Sequence, residues 1–348
     1  MKIKDAFVTG ATGFIGSRLV KQLIDDGTEV TCLVRSESKT DQLKQMGCKF
    51  VYGDLRDEAL ALKGVENCDT LFHVAAMKNA ARPKSMLATN RSTTKNLFEA
   101  ILRSPATPRV VHISSLAACG PSAKDRPTIE TDCPQPVSFY GRSKLESERV
   151  ATSYADRMPV SIVRPPIVLG QGDSNVLRMF KLIQKFNCHL IPGLTTKQYS
   201  VIHVDDLVNA LVCVASQGQP IAATNANDPS QGIYFAAGEQ LSYAELGRQI
   251  GLALGKPKTR CVHIARPIFW SVGAVNSLFA MVTNQPRFLN LDKYREAAVG
   301  DWACSADKLF SETDFSLPVP FATRLSQTVQ WYQAHGWLES HNQDPLPA

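Results

Sequence analysis

The chain has 348 residues, of which 44% are hydrophobic and 20% charged, with 38 Lys and Arg against 32 Asp and Glu for a formal net charge of +6. This is ordinary globular composition with enough apolar residues for more than a minimal core, so neither a disordered tail nor a disulfide miniprotein fits it. The basic residues do not run together, which suits phosphate-bearing ligands and gives no argument for nucleic acid.

From residue 5 to about 165, short β-branched runs alternate with longer helical patterns, the signature of an α/β chain whose parallel strands are joined by helices. The first strand, Ala6–Thr9, runs into Gly10-Ala11-Thr12-Gly13-Phe14-Ile15-Gly16. Gly10 allows a tight turn, Gly13 lets backbone approach a phosphate, and Gly16 lets the next helix pack on the strand, while the free amides opening that helix attract a pyrophosphate. Thr12, Phe14 and Ile15 complete the expected cofactor-binding loop, and Ile15, Leu19 and Leu23 mark the inward face of the helix.

The second strand, Val30–Val34, ends at Arg35-Ser36, where a site for NAD typically offers an acid to the ribose hydroxyls. A guanidinium and a hydroxyl suit a 2′-phosphate instead, so NADP is the preferred cofactor and NAD the second choice; a solvated Arg at a strand end is the plain alternative. After the third strand, Lys49–Val51, Asp54 and Leu55 reach the carboxyl edge of the sheet, Asp54 either accepting from an adenine amino group or capping a helix. The fourth strand, Thr70–Val74, carries His73, read as a packed core histidine, and is followed by Ala75 and Ala76, small enough for a cofactor to lie against the backbone.

The next helix shows Met86, Asn90, Thr93, Leu97 and Ile101 on one face. Asn90 then needs buried partners, which an active-site backbone or a relay water supplies. The fifth strand, Val110–Ser114, ends beside Ser115, whose hydroxyl is placed to donate to a substrate carbonyl, with Ser114 the second candidate. A proline-rich loop gives way to a helix opening at Tyr140-Gly141-Arg142-Ser143-Lys144. The spacing of four puts phenol and ammonium on one face, and at about 6 Å the ammonium is expected to bring the phenol pKa from about 10 to about 8, fit for acid and base work near neutral pH.

After a sixth strand, Val160–Arg164, the rhythm breaks up at Pro165-Pro166. Strand fragments at Val201–His203, Ile233–Phe235 and Val262–Ile264 stand between helices and longer loops. We read a dinucleotide-binding domain over 1–165 with later returns of the chain to its sheet, a smaller α/β substrate lobe over 166–340 and a loose tail over 341–348. Ser242-Tyr243-Ala244-Glu245 is a capping box opening a helix to about Leu254, and a last helix is expected from Phe321 to His335. His203, Asp205 and Asp206 fall where a strand becomes a helix cap, so no metal is expected. The longest apolar segment, Ile268–Val282, is too short to span a bilayer and reads as a packed helix, with peripheral membrane contact through 267–282 as the minority reading. Nine dispersed cysteines without a C-x-x-C pair, and an opening stretch without an apolar signal segment, make reduced thiols and a cytoplasmic location the expectation.

Gly10, Gly13 and Gly16, with Asn90, Ser115 and the Tyr140/Lys144 pair, together resemble the extended short-chain dehydrogenase/reductase family, also described as the NAD-dependent epimerase/dehydratase group. The resemblance implies a Rossmann-type doubly wound parallel sheet, a C-terminal substrate lobe, and a Ser115/Tyr140/Lys144 triad in which Lys144 also holds the nicotinamide ribose. It implies too that Pro165, Pro166 and Ile167 lie against the nicotinamide, and that the protein forms a homodimer through Rossmann-domain helices. Members acting on nucleotide sugars carry an Asn shortly after the sixth strand and an Arg before a strand reading F-V-H-V-D-D. This chain has neither, reading RPPIVLG over 164–170 and KQYSVIHVDD over 197–206. These departures, with the runs WACS over 302–305 and WYQAHGW over 331–337, resemble instead the branch containing dihydroflavonol reductases and 3β-hydroxysteroid dehydrogenases. The expected activity is interconversion of a ketone or aldehyde and an alcohol on a largely apolar small molecule, walled by Met77, Leu116, Ala117, Cys119, Ile167, Val168 and Phe180. A nucleotide-sugar epimerase or dehydratase is the alternative. A non-catalytic NADP-sensing regulator is a third, disfavoured because Tyr140 and Lys144 are both present.

Overall fold

The computed structural model describes residues 2–78, 83–123, 125–222, 228–283 and 291–339; the expected tail over 341–348 lies outside them. The strands are β1 (Asp5–Thr9), β2 (Glu29–Val34), β3 (Lys49–Tyr52), β4 (Thr70–His73), β5 (Arg109–Ile113), β6 (Val160–Arg164), β7 (Ile167–Leu169), β8 (Cys188–Pro192), β9 (Gln198–His203), β10 (Ile233–Phe235), β11 (Glu239–Ser242) and β12 (Arg260–Ile264). The helices are α1 (Phe14–Asp25), α2 (Asp41–Gln45), α3 (Glu58–Val65), α4 (Pro83–Arg103), α5 (Phe139–Thr152), α6 (Leu177–Phe186), α7 (Val204–Ser216), α8 (Tyr243–Ala253), α9 (Arg266–Thr283), α10 (Leu291–Ala298), α11 (Asp307–Glu312) and α12 (Phe321–Ala334).

The main sheet runs β3-β2-β1-β4-β5-β6-β10 with every pairing parallel. The chain leaves β1 toward β2 on one side and returns to β4 on the other, so the crevice at their carboxyl ends is the topological switch point where open α/β sheets bind ligands. Both faces are covered, which is why the strands read as nearly unbroken apolar runs. In β1, Ala6 and Val8 face α1 and α7 through Leu19, Leu23, Leu207 and Leu211. Phe7 points the other way, into a core with Leu97, Phe98 and Ile101 of α4. The seventh strand, β10, comes from chain well beyond the two prolines and pairs with β6.

A separate core holds Leu169, Phe180, Leu246, Leu325 and Tyr332. Around it lie a three-stranded sheet, β7-β9-β11, and a parallel pair of β8 with β12. Three strands here escape sequence reading for physical reasons. The strand β7 has three residues directly behind two prolines, β8 is interrupted by His189 and closed by Pro192, and β11 reads EQLS with no apolar alternation. Ser242 does cap α8, accepting from the Glu245 N–H at 3.1 Å. Among the described residues no helix is long and apolar enough to cross a membrane.

Candidate active site

The loop after β1 is built for close approach. Gly10 sits at φ +74°, and a Cβ there would come within 2.8 Å of the Ala75 nitrogen. A Cβ on Gly16 would lie 2.1 Å from the Gly10 carbonyl oxygen, so only glycine lets α1 start this close to the strand. Gly13 is the N-cap of α1, contributes no side-chain cap, and is followed by no acid in the first turn. The helix therefore presents uncapped amides and its positive dipole end at the sheet's carboxyl edge, where Thr12 and Gly13 are exposed. That donor set fits a pyrophosphate. Phe14 is half-buried and Ile15 buried against the core, so both serve the loop from behind.

At the end of β2, Arg35 and Ser36 are exposed. Glu37 takes both: its carboxylate lies 3.4 Å from the Arg35 guanidinium and accepts from the Ser36 hydroxyl at 3.1 Å. Asp54 accepts from the Arg56 N–H and guanidinium, each at 2.9 Å, and leaves the capping of α3 to Asp57. The Leu55 side chain is buried with Phe7 and Leu97. Ala75 and Ala76 are half-buried at the edge, the Ala75 N–H donating to the Thr9 hydroxyl at 3.2 Å. His73 bonds Thr9 and Thr94 at 2.8 and 3.1 Å, and burial pushes it down to about 3, so it is a neutral packed histidine.

Asn90 is buried with all its polar atoms used. It accepts from the Met77 N–H at 2.7 Å, donates to the Met77 carbonyl at 3.0 Å and donates to the Ser143 hydroxyl at 3.1 Å. It therefore ties the backbone after β4 to helix α5, whose Ser143 in turn donates to the Tyr140 carbonyl at 2.8 Å. Ser115 follows β5 as the N-cap of a short 3-10 turn, Leu116–Ala118, its hydroxyl accepting from the Ala117 N–H at 3.1 Å, and it lies near enough to the Tyr140 phenol to favour the ionised form. Ser114 is buried and its hydroxyl has no partner among the described residues. Pro165 joins the same cluster, its carbonyl accepting from the Leu116 N–H at 2.8 Å, and Ile167 is half-buried just beyond it.

The helix α5 carries Tyr140, Lys144 and Glu148 one turn apart. Lys144 donates to the Ile113 carbonyl at 2.5 Å, and burial, with the charge of Lys78, brings it down to about 8 against the pull of Glu148. Glu148 grips Arg164 on β6 with two bonds, at 2.9 and 2.7 Å, in a pair only 3% and 4% exposed. Spacing alone predicts that Lys144 lowers the phenol, and the structure corrects the direction. Burial raises Tyr140, and the cation that opposes the rise is Lys293 of α10, whose Nζ lies 5.4 Å from the ring centroid.

No local signal announces α10. Its Asp292 accepts from the Phe139 and Tyr140 N–H groups at 2.7 and 3.0 Å, capping α5 from another part of the chain, and its Glu296 accepts from the Ser138 hydroxyl at 2.7 Å. The Trp302 indole and the Lys197 ammonium donate to carbonyls at the end of α10, fixing it in place. Of the expected pocket walls, Leu116, Ala117 and Cys119 cluster with Tyr140, Tyr199 and Trp302. Phe180 does not join them: it is fully buried, edge-on to Tyr332 at 5.4 Å, in the separate core. Asp205 pairs with Arg18 and Asp206 with Arg324, both at 2.5 Å, and His203 caps α7.

Comparison with known proteins places these observations. A model of the NAD dependent epimerase/dehydratase family matches residues 6–226. The chain is 28% identical over 334 residues to a ceramide reductase of Caulobacter vibrioides, covering 95% of each. It is 30% identical over 265 residues to a UDP-glucose 4-epimerase of Vibrio cholerae, covering 73% of this chain and 77% of the relative. In fold it is similar, at TM-score 0.75 and 23% identity, to a dTDP-glucose 4,6-dehydratase of Streptomyces venezuelae solved with NAD bound, covering 96% and 98% of the two chains.

Proposed function

The chain belongs to the NAD dependent epimerase/dehydratase family of extended short-chain dehydrogenases/reductases, and from that premise we propose that it interconverts a ketone or aldehyde and the corresponding alcohol on a largely apolar small molecule. The observation that carries the proposal is that Tyr140, one turn from Lys144 on α5, packs against the Leu116–Ala117 turn that Ser115 caps, at the sheet edge where α1 offers uncapped amides.

A nicotinamide dinucleotide bound at this edge supplies or takes up the hydride at the carbonyl carbon. Ser115 donates to the carbonyl oxygen and so stabilises the charge that develops there. Tyr140, kept protonated at neutral pH by its burial, gives its proton to the same oxygen in reduction and takes it back in oxidation. Lys144 would hold the ribose of a bound dinucleotide, and Asn90 fixes the backbone after β4 at that edge. Pro165 and Ile167 would back the nicotinamide, and the loop of Gly10, Gly13 and Gly16 would hold the diphosphate. The apolar cluster of Leu116, Ala117, Cys119 and Trp302 favours a hydrophobic substrate over a diphosphate, and the full-length likeness to a ceramide reductase supports the same choice. NADP is the preferred cofactor in this proposal, because no acid stands at position 35 or 36; Glu37 tempers that preference by pairing with Arg35. The free cysteines support a cytoplasmic place, and a homodimer, read as a doubled mass by light scattering, belongs to the same proposal.

The test is a panel of hydrophobic ketones and secondary alcohols with both cofactors, followed by nicotinamide absorbance. Tyr140→Phe is expected to lose most turnover while still binding cofactor; full residual activity refutes the role. The second reading, sugar-nucleotide epimerisation, is favoured by the likeness to the Vibrio enzyme and would show as product inversion without net change in cofactor.

A further inference from the structure

Acidic residues are absent from two long stretches of this chain. Residues 174–204 contain four Lys or Arg and no Asp or Glu, and residues 246–291 contain six and none, so the remainder of the chain is net acidic. The fold brings the two stretches together, because β8 belongs to the first and β12 to the second, and they pair in parallel with Leu190 beside Val262.

One face of this pair is covered. His189 is buried against Tyr243 of α8, and the Cys261 thiol donates to the Ala244 carbonyl. Strand alternation sends Leu190 and Val262 to the other face, where both are exposed. At one end of that face stands Phe186, 62% exposed, with the Lys185 ammonium 5.3 Å from its ring. The residue after it, Asn187, accepts from the Arg260 N–H at 3.0 Å, so exposed Arg260 and Lys258 border the same corner. At the other end the Gly193 N–H donates to the Ile264 carbonyl, which places Leu194, 77% exposed, beside the start of α9. There Ile268, Trp270 and Val275 are also exposed. The result is a set of exposed apolar side chains along the strand pair and the start of α9, bordered by exposed Lys181, Lys185, Lys258 and Arg260, with no acid in either stretch.

We propose that this face is a docking surface for an anionic phospholipid bilayer. Protruding Phe, Leu, Ile and Trp side chains enter the boundary between headgroups and acyl chains one by one, while the basic residues, their stems lying on apolar surface, meet lipid phosphates. The lack of acids along both stretches lessens the like-charge repulsion that would oppose such contact. The helix α9 packs on α10, which holds Lys293 against Tyr140, so the docked surface lies one helix away from the candidate active site. The inference does not depend on the catalytic reading.

The test is sedimentation of the full chain with vesicles of phosphatidylcholine alone and of phosphatidylcholine with phosphatidylglycerol. Binding is expected only with phosphatidylglycerol, weakening with added salt, and accompanied by a blue shift of tryptophan emission that Trp270→Phe reduces. Leu194→Asp is expected to weaken binding, and Lys258→Glu with Arg260→Glu to weaken it about tenfold or more. A thermal melt matching the unaltered protein shows that each variant is folded, and Lys258→Gln with Arg260→Gln serves if the reversal does not fold. Equal binding to both vesicles, no binding to either, or undiminished binding by the charge variants overturns the proposal. So does a result in which Leu194→Asp splits a dimer and leaves vesicle binding unchanged, which would give the face to a second copy of the chain.

Discussion

Replacing Lys293 by Met separates two accounts of how Tyr140 is tuned. The ammonium lies 5.4 Å from the ring centroid. At an effective dielectric near 20 a unit charge at that distance stabilises a tyrosinate by about 3 kcal/mol, or about 2 pKa units. Glu296 accepts from Lys293 at 2.7 Å and itself acts to raise Tyr140, so about half of that effect survives. Lys293→Met should therefore raise the Tyr140 pKa by about one unit, and Lys293→Arg should restore most of the difference. The readout is tyrosinate absorbance against pH, taken as the difference between each protein and its Tyr140→Phe counterpart, which isolates one phenol and needs no substrate. The same shift should appear in the alkaline limb of alcohol oxidation, where Tyr140 must begin deprotonated. If Lys293→Met leaves the titration in place while Lys144→Met moves it, the attribution drawn from the structure is wrong and the one drawn from helix spacing is right.

Glu148→Gln leaves the Arg164 guanidinium buried without its counter-charge and should lower stability by about 3 to 5 kcal/mol, whereas Glu148→Leu with Arg164→Met should recover much of it; single and double variants melting alike would contradict this. Lys144 titrates at about 8 in the folded chain against an ordinary 10.5, so the unfolded chain binds that proton more tightly. Its buried charge costs stability below pH 8, and stability is regained as pH rises from about 8 to 10.5. Lys144→Met should flatten that rise by up to about 3 kcal/mol, measured as the difference in urea midpoints of the cofactor-free proteins. Arg35→Ala should weaken NADP binding about tenfold or more while sparing NAD, and Glu37→Gln should tighten NADP, both read by cofactor fluorescence; unchanged NADP affinity in Arg35→Ala ends the preference for NADP.

Much of this protein was legible in its residues because the relevant physics is local. A glycine loop between a β-branched run and an amphipathic helix can be read over seven residues, and the parallel strands β1 to β6 announce themselves as short runs rich in β-branched and apolar residues. Tyr140, Lys144 and Glu148 share a helix face by spacing alone, but nothing in the spacing names Arg164 as the partner of the third. Asn90 marked itself as a polar residue on an apolar face, and its bonds to Met77 and Ser143 supply the partners that placement demanded.

What the sequence could not state was which distant groups surround those residues. Asp292 caps a helix that begins about 150 residues earlier, and Lys293 acts on a phenol equally remote. Likewise, Phe180 looks like any wall-forming aromatic until packing against Tyr332 shows that it belongs to another core. Backbone pattern is fixed by neighbours along the chain, whereas charge, capping and burial at a site depend on distances through space. The sequence alone therefore determined the parallel α/β framework and the residue types at its edge. Tertiary packing decided which cation acts on Tyr140 and which carboxylate holds Lys144's helix in place, because Coulomb and desolvation energies follow separation and solvent access, not position in the chain.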